Sequence, residues 1–200
     1  MNEQLRPSSL PGTTQAAEGL PRRRFSVAEI GAAVAAGIIR EEERFELIGG
    51  EAVPMASRGL RHELVKMALQ QHWFPLVLDT STDLITETTL RVGEDGFYEP
   101  DFLFWPRSIP LKDVAAASAL LIVEVADSSL GYDLGAKALA YASLGLPELW
   151  VINAQTLATT VHHKPGPAGY AEVREAGPGE RREPMHAAHL AVRLGTLDLG

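Results

Sequence analysis

The period of the apolar positions changes several times along the chain, and each change marks a structural element. Ile30, Val34 and Ile38 recur at helical spacing. Ser26 stands three residues before Glu29, a capping box in which each side chain can reach the other residue's amide. Gly37 marks the end of that helix. Two β-rich runs, 44–48 and 51–55, flank Gly49 and Gly50. Glycine accepts positive φ at both central positions, so this stretch predicts a hairpin. Helical spacing returns over 57–77, where Leu60, Leu64, Met67 and Trp73, joined by Val65, Ala68 and Leu69, predict one buried face. Arg58, Arg61, His62 and Lys66 lie near its start and partly on another face. Residues 83–92 alternate as a single strand, with Leu84, Thr86, Thr88, Leu90 and Val92 on one side. A Gly93–Gly96 turn leads to a second strand over 97–105, and Pro100 inside it predicts an edge or a bulge.

The clearest unit follows. Residues 120–125 are nearly all apolar, as a strand buried on both faces should be. A helix is predicted over 132–144, with Asp133 as its cap, Gly145 at its end and Pro147 blocking continuation. Residues 148–152 form another apolar strand, so the whole reads as a βαβ unit with a parallel crossover. Beyond Asn153 the pattern is antiparallel β: a strand over 157–164, a turn at Pro165 to Pro167, and a strand over 170–175. Residues 176–184 read as a loop, and 190–199 alternate weakly as a last strand.

Composition narrows the class. Two hundred residues correspond to one domain, here residues 25–200, after a lead-in over 1–24 whose Pro, Gly, Ser and Thr cannot build a core. The absence of cysteine excludes a disulfide scaffold, thiolate zinc sites and a cysteine nucleophile, and fits the cytoplasm. No apolar run has the length of a membrane span, and the N-terminus lacks a signal peptide's apolar stretch. The formal net charge of −8 argues against loose coating of nucleic acid. It leaves room for a nuclease, whose metal-binding carboxylates add negative charge where a cation sits. Phosphate-loop, nucleophile-elbow and HExxH patterns are all absent. His162 and His163 are adjacent on a predicted strand, so they point to opposite faces and read as ordinary surface residues rather than a metal pair.

One charge is out of place. Glu124 lies inside the most apolar strand and by alternation shares a face with Leu120 and Ile122. A buried carboxylate needs a cation, a donor or a raised pKa. A salt bridge at the strand end would satisfy it, and so would a metal site shared with a second acid. Asp101, after Pro100 and before the apolar Phe102, Leu103 and Phe104, is the candidate partner, although alone it reads equally as a turn aspartate. Two carboxylates at neighbouring strand ends make an oxygen site for a hard cation such as Mg²⁺. Lys137, the only cation between Gly131 and Trp150, lies on the crossover helix that folds back over the sheet. It is either a group that orients water and offsets developing charge, or a solvated lysine on a helix flank.

This ordered series resembles the PD-(D/E)XK nuclease superfamily, and within it the Uma-type restriction endonuclease family. The resemblance rests on FELIGGE at 45–51, Arg61-His62, Pro100-Asp101, LIVEV at 121–125, Asp133, Lys137, Tyr141 and GLPELWVI at 145–152. It implies a restriction-endonuclease-like α/β fold: a mixed central sheet flanked by helices, with an added antiparallel portion at the C-terminus. It implies Asp101 and Glu124 as ligands of Mg²⁺ or Mn²⁺, with the Val125 carbonyl as a third. The standard motif places its lysine two residues after the acid, where this chain has Ala126. The resemblance instead assigns that role to Lys137, with Tyr141 one turn later in support. His62 matches a position that touches phosphate or the attacking water, and Glu46 one that serves as a further acid; both are open to a structural reading. Arg58, Arg61 and Lys66 are either phosphate contacts or a solvated flank. The implied activity is metal-dependent hydrolysis of DNA, with a homodimer as a further expectation because each site cuts one strand. A catalytically silent binding module and a hydrolase of small phosphate compounds are the alternatives.

Overall fold

A computed structural model describes residues 23–40, 42–55 and 58–200. The lead-in lies outside these residues except for Arg23 and Arg24, and Arg23 donates to Glu29 at 2.7 Å. The capping box forms as the sequence predicts and opens helix α1 (Val27–Ala35). Strands β1 (Phe45–Ile48) and β2 (Glu51–Pro54) form the hairpin, with Gly49 and Gly50 at φ 54° and 80°. Helix α2 spans Leu60–Val77 with Gly59 at its N-cap, and Ser57, the predicted start, lies outside the described residues. Its buried face is made by His62, Val65, Ala68, Leu69, Trp73 and Val77. Leu60 and Met67, assigned by spacing to that face, are exposed. Helical periodicity alone did not say which of two apolar stripes meets the core.

The single strand predicted over 83–92 is two: β3 (Thr82–Thr86) and β4 (Leu90–Arg91), in different sheets. The break comes at Glu87, which takes φ 55° and whose carboxylate is paired with Lys66 and Arg58. The next predicted strand divides likewise into β5 (Phe97–Tyr98) and β6 (Phe102–Pro106). Pro100 therefore marks neither an edge nor a bulge but the crossing from one sheet to the other. The small sheet has the order β2-β1-β5-β4.

The βαβ unit is present. Strand β7 (Leu121–Ala126) pairs in parallel with β8 (Glu148–Asn153). The helical crossover starts earlier than predicted and has three parts: α3 (Leu130–Tyr132), a π-helical turn (Asp133–Lys137) and α4 (Ala138–Ser143). Asp133 is inside the helix rather than its cap, and accepts from the Ser129 hydroxyl at 2.5 Å. Gly145 ends the helix at φ 76°. Strands β9 (Thr159–Gly166) and β10 (Gly169–Ala176) complete a six-stranded mixed sheet of order β10-β9-β8-β7-β6-β3. The last strand predicted over 190–199 is replaced by short 3₁₀ turns at Ala188–Leu190 and Leu194–Thr196, with a single bridge from Arg182 to Val192.

Alternation along β7 sorts the core into two layers. Leu121, Val123 and Val125 join Trp73, Phe102, Phe104 and the C-terminal Leu190, Val192 and Leu194 beneath α2. Trp73 meets both phenylalanines edge-on with centroids 5.1 Å away, and its indole donates to the Leu190 carbonyl at 2.8 Å. On the other face Ile122 and Ala126 pack with Tyr141, Leu146, Leu149 and Tyr98. Leu120, just before β7, belongs to the first layer rather than to the Ile122 face. Glu124 projects on the Ile122 side by the same alternation.

Candidate active site

Asp101 and Glu124 become neighbours through strand register. Strands β6 and β7 pair antiparallel with Phe102 opposite Val123, and one further step sets Asp101 alongside Glu124. Both are buried, at 7% and 4% exposure, yet both line one cavity of about 380 Å³. The same cavity is lined by Glu46 from β1, His62 from the first turn of α2, Lys137 from the π-helical turn, and Val125. All six residues singled out from the sequence therefore meet in one place.

Each acid has its own company. Asp101 Oδ2 accepts from the Val125 amide at 2.8 Å, and His62 Nε2 lies 3.1 Å from Oδ1. Burial opposes the Asp101 charge, but the His62 hydrogen bond and charge and the Val125 amide outweigh it, so its pKa lies below the ordinary value. His62 is shifted the opposite way. Its burial favours the neutral ring, yet Asp101 and, 3.2 Å from Nδ1, Glu63 hold its pKa above the usual histidine range. Glu124 Oε1 accepts from the Tyr141 hydroxyl at 2.8 Å and lies 3.0 Å from Lys137 Nζ. Burial pushes the Glu124 carboxyl well up, Lys137 opposes this, and the negative charges of Asp101, Asp133 and Glu46 add to it.

Lys137 is the hinge of the cluster. Its ammonium is 2.9 Å from Glu46 Oε1 and 3.0 Å from Glu124 Oε1, at 4% exposure. Burial alone would lower its pKa, but Glu124, Glu46 and Asp133 reverse the sign and raise it. It is an ammonium at every physiological pH. Glu46 is fixed in turn by the Glu99 amide at 2.9 Å and the Tyr132 hydroxyl at 3.0 Å.

Tyr132 was not legible from the sequence. It stands five residues before Lys137, and in a regular α-helix residues so spaced point well apart. The π-helical turn, with its i to i+5 bonding, brings both side chains to the cavity. The apolar part of the lining, Val53, Pro54 and Met55 at the end of β2, also carried no sequence signal. Of the three suggested phosphate contacts, only Arg58 lines the cavity, where it is paired with Glu87. Arg61 donates to the Ala154 carbonyl at 2.8 Å and ties α2 to the end of β8, while Lys66 is buried and bound to Glu87. Of the two strand histidines, the first is buried and the second is partly exposed. His162 is buried against Tyr170, and His163 Nε2 lies 3.0 Å from Glu148 without hydrogen-bond alignment.

The donor set can be tested against a cation. Among the described residues no three His, Asp or Glu side chains are gathered as a ready ligand set. Mg²⁺ does not need one, since it usually takes one or two carboxylates and completes its shell with water and phosphate oxygens. A carboxylate whose pKa burial pushes up, with nearby acids adding to the shift against one lysine, is chemically suited to a cation, and Glu124 is one.

A mixed sheet with helices on its faces and paired acids on adjacent central strands defines a restriction-endonuclease-like α/β fold. The solved structure titled a "putative nuclease belonging to DUF820" from Anabaena variabilis ATCC 29413 shares it, with a TM-score of 0.62 and 13% identity over 80% of this chain and 93% of that one. No curated protein matches the chain. The family model described as "Uma2: Putative restriction endonuclease" matches residues 34–195, and the chain belongs to that family. Among the described residues no helix is long and apolar enough to cross a membrane.

Proposed function

We propose that the protein is a metal-dependent endonuclease that hydrolyses DNA phosphodiester bonds. The observation that carries this reading is the Lys137 ammonium held at hydrogen-bond distance from Glu124 and Glu46, in the cavity that Asp101 also lines. Asp101, Glu124 and the Val125 carbonyl would hold Mg²⁺ or Mn²⁺. When bound, such an ion polarises a phosphate oxygen and lowers the pKa of a coordinated water.

The chain's own groups divide the remaining work. Lys137 keeps its proton, so it is not the general base. It orients the attacking oxygen by donation and offsets negative charge that grows on the phosphoryl group. His62, whose Nε2 is held by Asp101 and whose pKa is raised, would donate to a non-bridging phosphate oxygen through Nδ1 in exchange for Glu63. Tyr132 and the Glu99 amide fix Glu46, which fixes Lys137. Tyr141 holds Glu124 Oε1 from the helix side.

Calorimetric titration with Mn²⁺, followed by nicking of supercoiled plasmid and cleavage of single strands, tests the reading. Asp101→Asn and Glu124→Gln are expected to weaken metal binding by at least about tenfold and to abolish cleavage. Lys137→Met should slow cleavage by roughly 10²–10³ while metal affinity holds or tightens, because an opposing positive charge is gone. Metal binding without cleavage of any nucleic acid would leave a silent binding module. Turnover confined to small phosphate esters would make it a different hydrolase.

A further inference from the structure

Helix α2 carries a second apolar stripe that the fold leaves exposed except at the half-buried Leu64. Leu60, Leu64, Met67, Phe74 and Leu78, at the helix's C-cap, recur at sevens and fours, so they lie along one side of the helix, opposite the side that packs Val65, Leu69 and Trp73. Leu60 is 76% exposed, Leu78 70%, Met67 44% and Phe74 41%. From Met67 to Leu78 no Asp, Glu, Lys or Arg occurs on any side of the helix. Solvated helices place charge on their outer face, and loss of charge at the centre of an exposed patch is a mark of protein interfaces.

We infer that this stripe is the interface of a homodimer in which two copies of α2 pack antiparallel across a two-fold axis. The order of side chains fits its own reverse. With the axis at the level of Leu69, Leu60 meets Leu78 of the second copy, Leu64 meets Phe74, and Met67 meets Gln71. Apolar side chains thus face apolar ones at the two outer levels and Met67 covers the stem of Gln71 at the inner one, which is the self-complementarity an isologous contact requires. The antiparallel arrangement also sets each helix N-terminus beside a C-terminus, so the dipoles attract. Side chains of this size at these exposures offer on the order of 500 Å² per copy, about 1,000 Å² for the pair, where specific interfaces begin. The inference does not depend on the chemistry proposed for the cavity.

Sedimentation velocity on the full chain tests it. A species of twice the 21.6 kDa chain mass is expected at micromolar concentration. Phe74→Lys should raise the dissociation constant by at least about tenfold, with the far-ultraviolet circular dichroism of the folded chain unchanged. The chain has no cysteine, so Met67→Cys combined with Gln71→Cys should give a disulfide-linked dimer on mild oxidation, while Arg174→Cys should not. A monomer at all concentrations up to about 100 μM overturns the proposal. So does a dimer indifferent to Phe74→Lys, or a chain that dimerises only after residues 2–22 are removed, since that segment would then be the stripe's cover.

Discussion

Glu124 and Glu148 occupy neighbouring strands of one sheet, and both are buried, yet the structure uses them in opposite ways. Glu148 is fully enclosed, accepts from the Trp150 indole at 2.6 Å and the Met185 amide at 2.7 Å, has His163 Nε2 3.0 Å away, and so ties the C-terminal segment to β8. Glu124 lines a cavity, and its company is another titrating group: the ammonium of Lys137, shared with Glu46. Burial by itself does not mark chemistry. Partners that enclose a carboxylate on every side fix it as a rivet, whereas burial beside a cavity and further acids leaves it with a raised pKa even with an ammonium at hand.

The largest effect that would sharpen this contrast is Lys137→Met. It strands two buried carboxylates, and urea unfolding should show a loss of about 3–5 kcal/mol. Glu148→Gln keeps the shape but turns one oxygen into a donor facing the Met185 amide, at a cost of about 1–3 kcal/mol by the same measurement. Its Mn²⁺ affinity should be unchanged in calorimetry; a loss equal to that of Glu124→Gln would erase the distinction between the two acids. Glu124→Gln in the metal-free protein should change stability at neutral pH by less than about 1 kcal/mol, or increase it. The raised carboxyl pKa means that its charge is already a burden above the ordinary glutamate range.

The smallest expected effect concerns two histidines with opposite shifts. Burial lowers the pKa of His162, so the unfolded chain binds the extra proton first as pH falls below the ordinary histidine value. Its contribution to stability is present above that value and fades as pH falls through the lowered one. His62, raised, contributes below the ordinary value and loses its effect as pH climbs through the raised one. Melting curves from pH 7.5 to 5.5 should therefore fall less steeply for His162→Phe than for the parent, and more steeply for His62→Phe.

The βαβ unit was legible because several local signals agreed: an all-apolar strand, a glycine at the helix end and a second apolar strand. The acids were legible because Glu124 broke that pattern. What could not be read depends on partners distant in sequence. Nothing near Lys66 announces that Glu87 buries it, and nothing near Glu87 announces the turn that splits β3 from β4. The two apolar stripes of α2 are equivalent until the sheet chooses one. Tyr132 stayed hidden because a regular α-helix would turn it away from Lys137, and the chain is wound more loosely there.

That looser winding makes the site sensitive to a deletion that the sheet would tolerate. A π-helical turn has the geometry of one extra residue in an otherwise regular helix, and such turns, rare overall, are frequent at functional sites. Loss of a single codon, such as that for Gly135, would let residues 130–143 relax to an ordinary helix. Lys137 and Tyr141 would then rotate by about 100° relative to Tyr132 and Asp133, while the sheet beneath kept its pairing. Fold and candidate site are thus expected to be separable by the smallest in-frame deletion a genome can make.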